Sequence, residues 1–170
     1  MSASALASKN IALLVCSGFE EQPFVKLQQT LIATGANVKV ISRDNGLTNG
    51  WAGATWGLSY PVDASLSETL AVDYDVMVIP DGARHSDMLI NSPHGERVIT
   101  AFLREDVPSL IIGSAITSLQ AKDMLNGCEL SEEKIKLDKS LVLASTEVDT
   151  AEMIDLLGQS VANAEVEAAA

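Results

Sequence analysis

The residues able to do chemistry collect at the ends of aliphatic runs. Residues 108–120, PSLIIGSAITSLQ, place a short apolar strand ahead of Gly113-Ser114 and a helix-like segment. In an open α/β sheet, the carboxyl end of such a strand binds ligands and presents nucleophiles. A serine hydroxyl there needs a base within reach and backbone amides facing the oxyanion. The local order Ile112-Gly113-Ser114-Ala115-Ile116 has isoleucine two residues to either side of the serine, where a nucleophile elbow needs small residues. Serine is also a favoured helix N-cap, which accounts for Ser114 without chemistry.

Four further groups qualify. Glu20 and Glu21, in EEQP, stand at the start of a helix, where the dipole favours negative charge. Glu20 would lie near Ile112-Gly113 if the two strands are neighbours, which opens an acid/base role. Asp81, His85 and Asp87, in PDGARHSD, read as a loop cluster, but no third strong metal ligand accompanies them. His94 reads as a first-turn helix residue. Cys16 ends an aliphatic run with no positive charge beside it, so it reads as a small hydrophobe. Cys128 follows the turn at Gly127, with nothing in the sequence to activate it. Trp51 and Trp56 flank a hairpin tip and either pack on the local sheet or form an interface.

The elements that must position these residues follow from periodicity. NIALLVC (10–16) is a continuous apolar run and reads as a buried strand. Residues 20–34 repeat apolar positions at helical spacing, with Pro23 in the first turn and Gly35 after the end. Strands are expected at 37–42, 73–82, 108–113 and 139–145. Residues 47–61 are expected to form a hairpin turning near Ala52-Gly53. Ser92-Pro93 signals a helix start, and Asp149 with Glu152 resembles a capping box for the last helix. The order predicts a three-layer α/β/α sandwich around a mostly parallel sheet, with an added hairpin. The chain reads as one domain over 1–170, with residues 1–8 and 163–170 as flexible tails.

Bulk composition excludes several classes. The net charge of −12 repels a phosphate backbone or an anionic membrane, so nucleic-acid and membrane partners are not expected. No apolar run approaches the ~18 residues of a membrane span. Two cysteines make no disulfide framework, and the opening MSASALASKN is not a convincing signal peptide. The expectation is a cytoplasmic protein with no cofactor and no metal.

Five pieces together carry a resemblance: GFEE (18–21), YPVDASLSE (60–68), YDVMVIPDG (74–82), SLIIGSAITSL (109–119) and MLNG (124–127). In order and spacing, from about Lys9 to Leu157, the chain resembles the ThiJ/PfpI superfamily. That is a branch of the class I glutamine-amidotransferase-like fold, with a flavodoxin-like sheet. Its members include intracellular proteases, chaperones and glyoxal-consuming enzymes. The resemblance implies a cysteine nucleophile where this chain has Gly113, and a supporting acid where it has Pro23. The Pro-Gly-Gly that supplies oxyanion amides reads Pro80-Asp81-Gly82. Glycine at the nucleophile position, with the hairpin and YPVDASLSE, is similar to the C-terminal domain of large-subunit heme catalases. The site Gly113, Ser114, Glu20, Asp81, Gly82 therefore reads as degenerate.

The leading expectation is a catalytically silent relative acting by binding, assembly or chaperone-like protection, in stress. The resemblance implies a homo-oligomer, most simply a dimer, and the sequence contributes Trp51 and Trp56 on the hairpin as its candidate interface; a protein partner or small ligand is left unspecified. One alternative is a divergent hydrolase or glyoxalase-like lyase using Ser114 with Glu20 or His85. A second is a thiol redox sensor through Cys16 or Cys128.

Overall fold

The computed structural model describes residues 2–169. After a 3-10 turn at Ser2–Leu6, strand β1 (Asn10–Val15) carries the first aliphatic run. A two-residue strand β2 (Phe19–Glu20) leads into helix α1 (Glu21–Ala33), which buries Phe24, Leu27 and Leu31 at helical spacing. Strand β3 (Asn37–Ser42) follows, then the hairpin β4 (Leu47–Trp51) and β5 (Trp56–Pro61), and a short β6 (Ala64–Ser65). Strand β7 (Val76–Ile79) precedes α2 (Ala83–Asn91) and α3 (Pro93–Arg104). Strand β8 (Ser109–Ile112) and helix α4 (Ser114–Ala121) form the elbow. The chain ends with β9 (Ile135–Asp138), β10 (Leu141–Ala144) and α5 (Thr150–Ala169).

Seven strands pair in the order β6-β3-β1-β7-β8-β10-β9. All these pairings are parallel except β9 with β10. β7 is apolar at every position, and β1 and β8 are apolar after their first residue, because both faces are covered. Ile11, Leu13 and Val15 face α1 and α5, while Ala12, Leu14 and Cys16 face α2, α3 and α4. The three-layer expectation is met. The strand order reverses between β1 and β7, which opens a crevice at their carboxyl ends.

Two expectations are corrected. Residues 83–91 form helix α2 rather than a loop, because Leu89 and Ile90 reach the core from a helical turn that also buries His85 and Ser86. The expected hairpin is present, and it joins β2 in a separate three-stranded sheet. Residues 4–8, expected as a loose tail, lie against the fold with Leu6 fully buried, and Lys9 pairs with Glu165 on α5 at 2.7 Å. Residues 163–169 continue α5. Asp149 precedes α5 as expected, but its carboxylate bonds Lys26 at 3.3 Å, while the Glu152 amide donates to the Asp149 carbonyl. Among the described residues, no helix is long and apolar enough to cross a membrane.

Candidate functional site

The elbow is built on a glycine because its backbone demands one. Gly113, at φ +60° and ψ −125°, turns β8 into α4 through a region that side chains avoid. A Cβ at this position would stand 2.6 Å from Asp81 Cγ and 2.8 Å from Thr146 Cγ2. The space a side chain at 113 would enter is filled by the Asp81 carboxylate.

That carboxylate is anchored from one side. Asp81 Oδ1 accepts the Ser114 N–H at 2.8 Å and the Ser114 hydroxyl at 2.5 Å. Ser114 Oγ in turn accepts the Gly82 N–H at 3.3 Å. A carboxylate at the first amide of α4 is stabilised by the helix dipole and by charge-assisted hydrogen bonds. The amides of Gly82 and Ser114, which an oxyanion would require, are thus occupied from within. Gly82 also has little freedom: a Cβ there would lie 2.6 Å from Phe19 Cα.

His85 is not available to Ser114. Its Nδ1 accepts the Cys16 N–H at 3.1 Å, which leaves Nε2 to donate to the Pro80 carbonyl at 2.6 Å. The ring is fully buried, and burial pushes its pKa down to about 4. His85 is therefore a neutral strut tying the end of β1 to the end of β7. Asp87, also on α2, accepts the Ser118 hydroxyl at 3.2 Å. Among the described residues no three His, Cys, Asp or Glu side chains are grouped to hold a metal ion.

Glu20 and Glu21 diverge. The Glu20 N–H donates to the Asp81 carbonyl at 3.0 Å, and its carboxyl is pushed above the usual range by burial and then by the Asp81 charge. Glu20 is thus brought beside Asp81, although β1 and β8 are not neighbours but lie on either side of β7. Glu21 turns the other way. Its Oε2 accepts the Leu58 N–H at 2.5 Å, and it hydrogen-bonds Tyr60. A Cβ at Gly50 would come 2.9 Å from Glu21 Cβ, so that glycine clears the path.

The cysteines lie apart from the elbow chemistry. Cys16 is fully buried, and burial pushes its thiol up to about 11. Cys128 is half-buried and also raised, by burial and then by Asp138. Neither environment favours a thiolate. Trp51 and Trp56 meet edge to face at 5.2 Å, and the Arg84 guanidinium lies 5.0 Å and 5.4 Å from their ring centres. The sequence reading missed Arg84, Thr146 and the anchoring role of Glu21. The signal for Asp81 was present: a carboxylate interrupting Pro80-Asp81-Gly82.

Two clefts meet at Asp81 and Thr146. One, of about 330 Å³, lies between the starts of α1 and α5. The other, about 480 Å³ and more polar, runs past Gly113, Ser114 and Thr117.

The DJ-1/PfpI family pattern matches residues 9–155. The chain belongs to the DJ-1/PfpI family. Solved structures agree on the fold of this DJ-1/PfpI protein. The VC2308 protein superposes with a TM-score of 0.77 at 18% identity, over 94% of this chain and 93% of that one. Oxidized Toxoplasma gondii DJ-1 gives 0.74 at 16% identity, over 94% and 98%. A two-domain protein from Anabaena variabilis, with DJ-1/ThiJ/PfpI-like and ferritin-like domains, gives 0.78 at 21% identity. There the match covers 91% of this chain and 48% of the other. No curated protein sequence matches this chain.

Proposed function

We propose that this DJ-1/PfpI protein is silent in nucleophilic chemistry at its elbow and acts by binding and assembly. The observation that carries this reading is the Asp81 carboxylate standing in the space of a residue-113 side chain while holding the Ser114 amide. A negative charge at that point repels a developing oxyanion. The test is methylglyoxal consumption by the purified protein and its Ser114→Ala variant. Absence of turnover in both is expected; turnover lost with Ser114→Ala would establish a rebuilt active site and end this reading.

Assembly with a second copy through the hairpin is the other half of the proposal. β5 is an edge strand of its sheet, and Leu47, Trp56 and Leu58 are exposed on the hairpin. Residues 45–62 contain no Asp, Glu, Lys or Arg, in a chain of net charge −12. Two copies repel each other least across such a surface. Sedimentation velocity should show a dimer that Leu58→Lys converts to monomer; a monomeric wild-type protein would refute it.

A further inference from the structure

The cleft of about 330 Å³ lies just past the carboxyl ends of β7 and β8, where open α/β sheets bind ligands. Its volume falls near the lower end of the ~300–1,000 Å³ of small-molecule sites. Pro23, Leu27, Ile112, Val148 and Met153 supply apolar walls, and Asp81, Lys26 and Asp149 supply the charge. In an elbow with open amides the ligand would be an acceptor, a carbonyl or an oxyanion. Here the polarity is reversed. The Ser114 and Gly82 amides are already occupied, and Asp81 Oδ1 takes two hydrogen bonds. Asp81 Oδ2 has no hydrogen-bond partner among the described residues, so it remains an acceptor.

The charge balance points the same way. Lys26 pairs with Asp149 at 3.3 Å, so the charged side chains lining the cleft, Lys26, Asp149 and Asp81, leave one net negative charge. Glu20 lies close enough for the Asp81 charge to raise its carboxyl pKa, and the whole chain carries −12. A carboxylate or phosphate would meet the Asp81 and Asp149 charges, whereas a cation would be attracted and hydrogen-bonded.

We propose that this cleft binds a small ligand with an apolar body and a protonated amine, the amine donating to Asp81 Oδ2. The inference rests on the silent-elbow reading. The probes are benzylamine, benzyl alcohol and benzoate, three compounds with one ring and three head groups, titrated at neutral pH by protein-observed NMR and calorimetry. Benzylamine should bind saturably, shifting residues around Ile112 and Met153. Benzyl alcohol should bind about tenfold more weakly, and benzoate should not bind, since a charge-assisted hydrogen bond is worth at least that factor.

Asp81→Asn keeps an acceptor for the Ser114 amide and should weaken benzylamine about tenfold. Val148→Phe, which narrows the cleft without touching Asp81, should weaken benzylamine and benzyl alcohol alike. Failure of benzylamine to bind, or equal affinity for benzoate, overturns the proposal. So does an Asp81→Asn protein of unchanged affinity. If the protein consumes no methylglyoxal and benzylamine also fails to bind, the amine site alone falls. Turnover lost with Ser114→Ala brings down the silent-elbow reading instead.

Discussion

Asp81 and Gly113 are complementary in shape: the carboxyl carbon of one stands 2.6 Å from where a Cβ on the other would be. A side chain at 113 cannot be added without a response from Asp81.

Gly113→Ala should therefore destabilise the protein by roughly 2–4 kcal/mol, combining a left-handed backbone with a steric clash. Asp81→Gly in the same chain removes the clash with the carboxylate but leaves the approach to Thr146 Cγ2 at 2.8 Å and the backbone strain. The double variant should recover roughly 1–3 kcal/mol of coupling. Urea unfolding of the wild type, both single variants and the double variant measures this. Strict additivity would show that the two residues do not compete for one space.

His85 sets a pH dependence. Its folded pKa of about 4 lies below the ordinary 6.5, so the unfolded chain takes up a proton first as pH falls. Stability is complete above about 6.5, declines between about 6.5 and 4, and loses on the order of 3 kcal/mol below that window. Glu20 acts with the opposite sign: its raised carboxyl gains stability when protonated, offsetting part of the loss. His85→Gln should flatten the decline between pH 7 and 4.5, as measured by denaturant unfolding at each pH. A slope equal to that of the wild type would assign the decline to other groups.

Thiol reactivity should separate the two cysteines. Cys16 should resist an aromatic disulfide reagent until denaturant is added, because its thiol is buried and raised. Cys128 should react slowly in the native protein. A native Cys16 that reacts at the rate of a free thiol would revive a redox role.

The hairpin should loosen when its two anchors are cut. Arg84→Met removes a guanidinium from two indoles, at roughly 0.5–1 kcal/mol for an exposed pair, and should alter Trp fluorescence. Glu21→Ala takes the acceptor from the Leu58 amide and should raise hydrogen exchange at Leu58 well above the wild-type rate. Unchanged exchange would mean that the strand holds itself.

The sequence made the layers legible because aliphatic runs and helical spacing are local signals. β1, α1, β3, β7 and β8 were each readable from ten or so residues. Helix α2 was not: Gly82 and the polar run Arg84-His85-Ser86-Asp87 look like a loop until tertiary burial of His85 and Ser86 is known. β9 escaped for a related reason, since Ile135–Asp138 alternates polar and apolar residues over only one edge strand. At the site, Gly113 and Asp81 each stood out as anomalies. Their contact across 32 residues, and the divergence of Glu20 from Glu21, depend on backbone geometry that no spacing encodes.

The bonds from Ser114 to Asp81 have a consequence for association kinetics and affinity. An ordinary surface aspartate samples several rotamers and must surrender them when a ligand arrives. Asp81 surrendered them during folding, so a ligand meets a carboxylate already aimed. Little rotamer entropy remains to be lost on binding. Discrimination at such a point falls to the ligand: how readily it sheds water, and how few torsions of its own it must freeze.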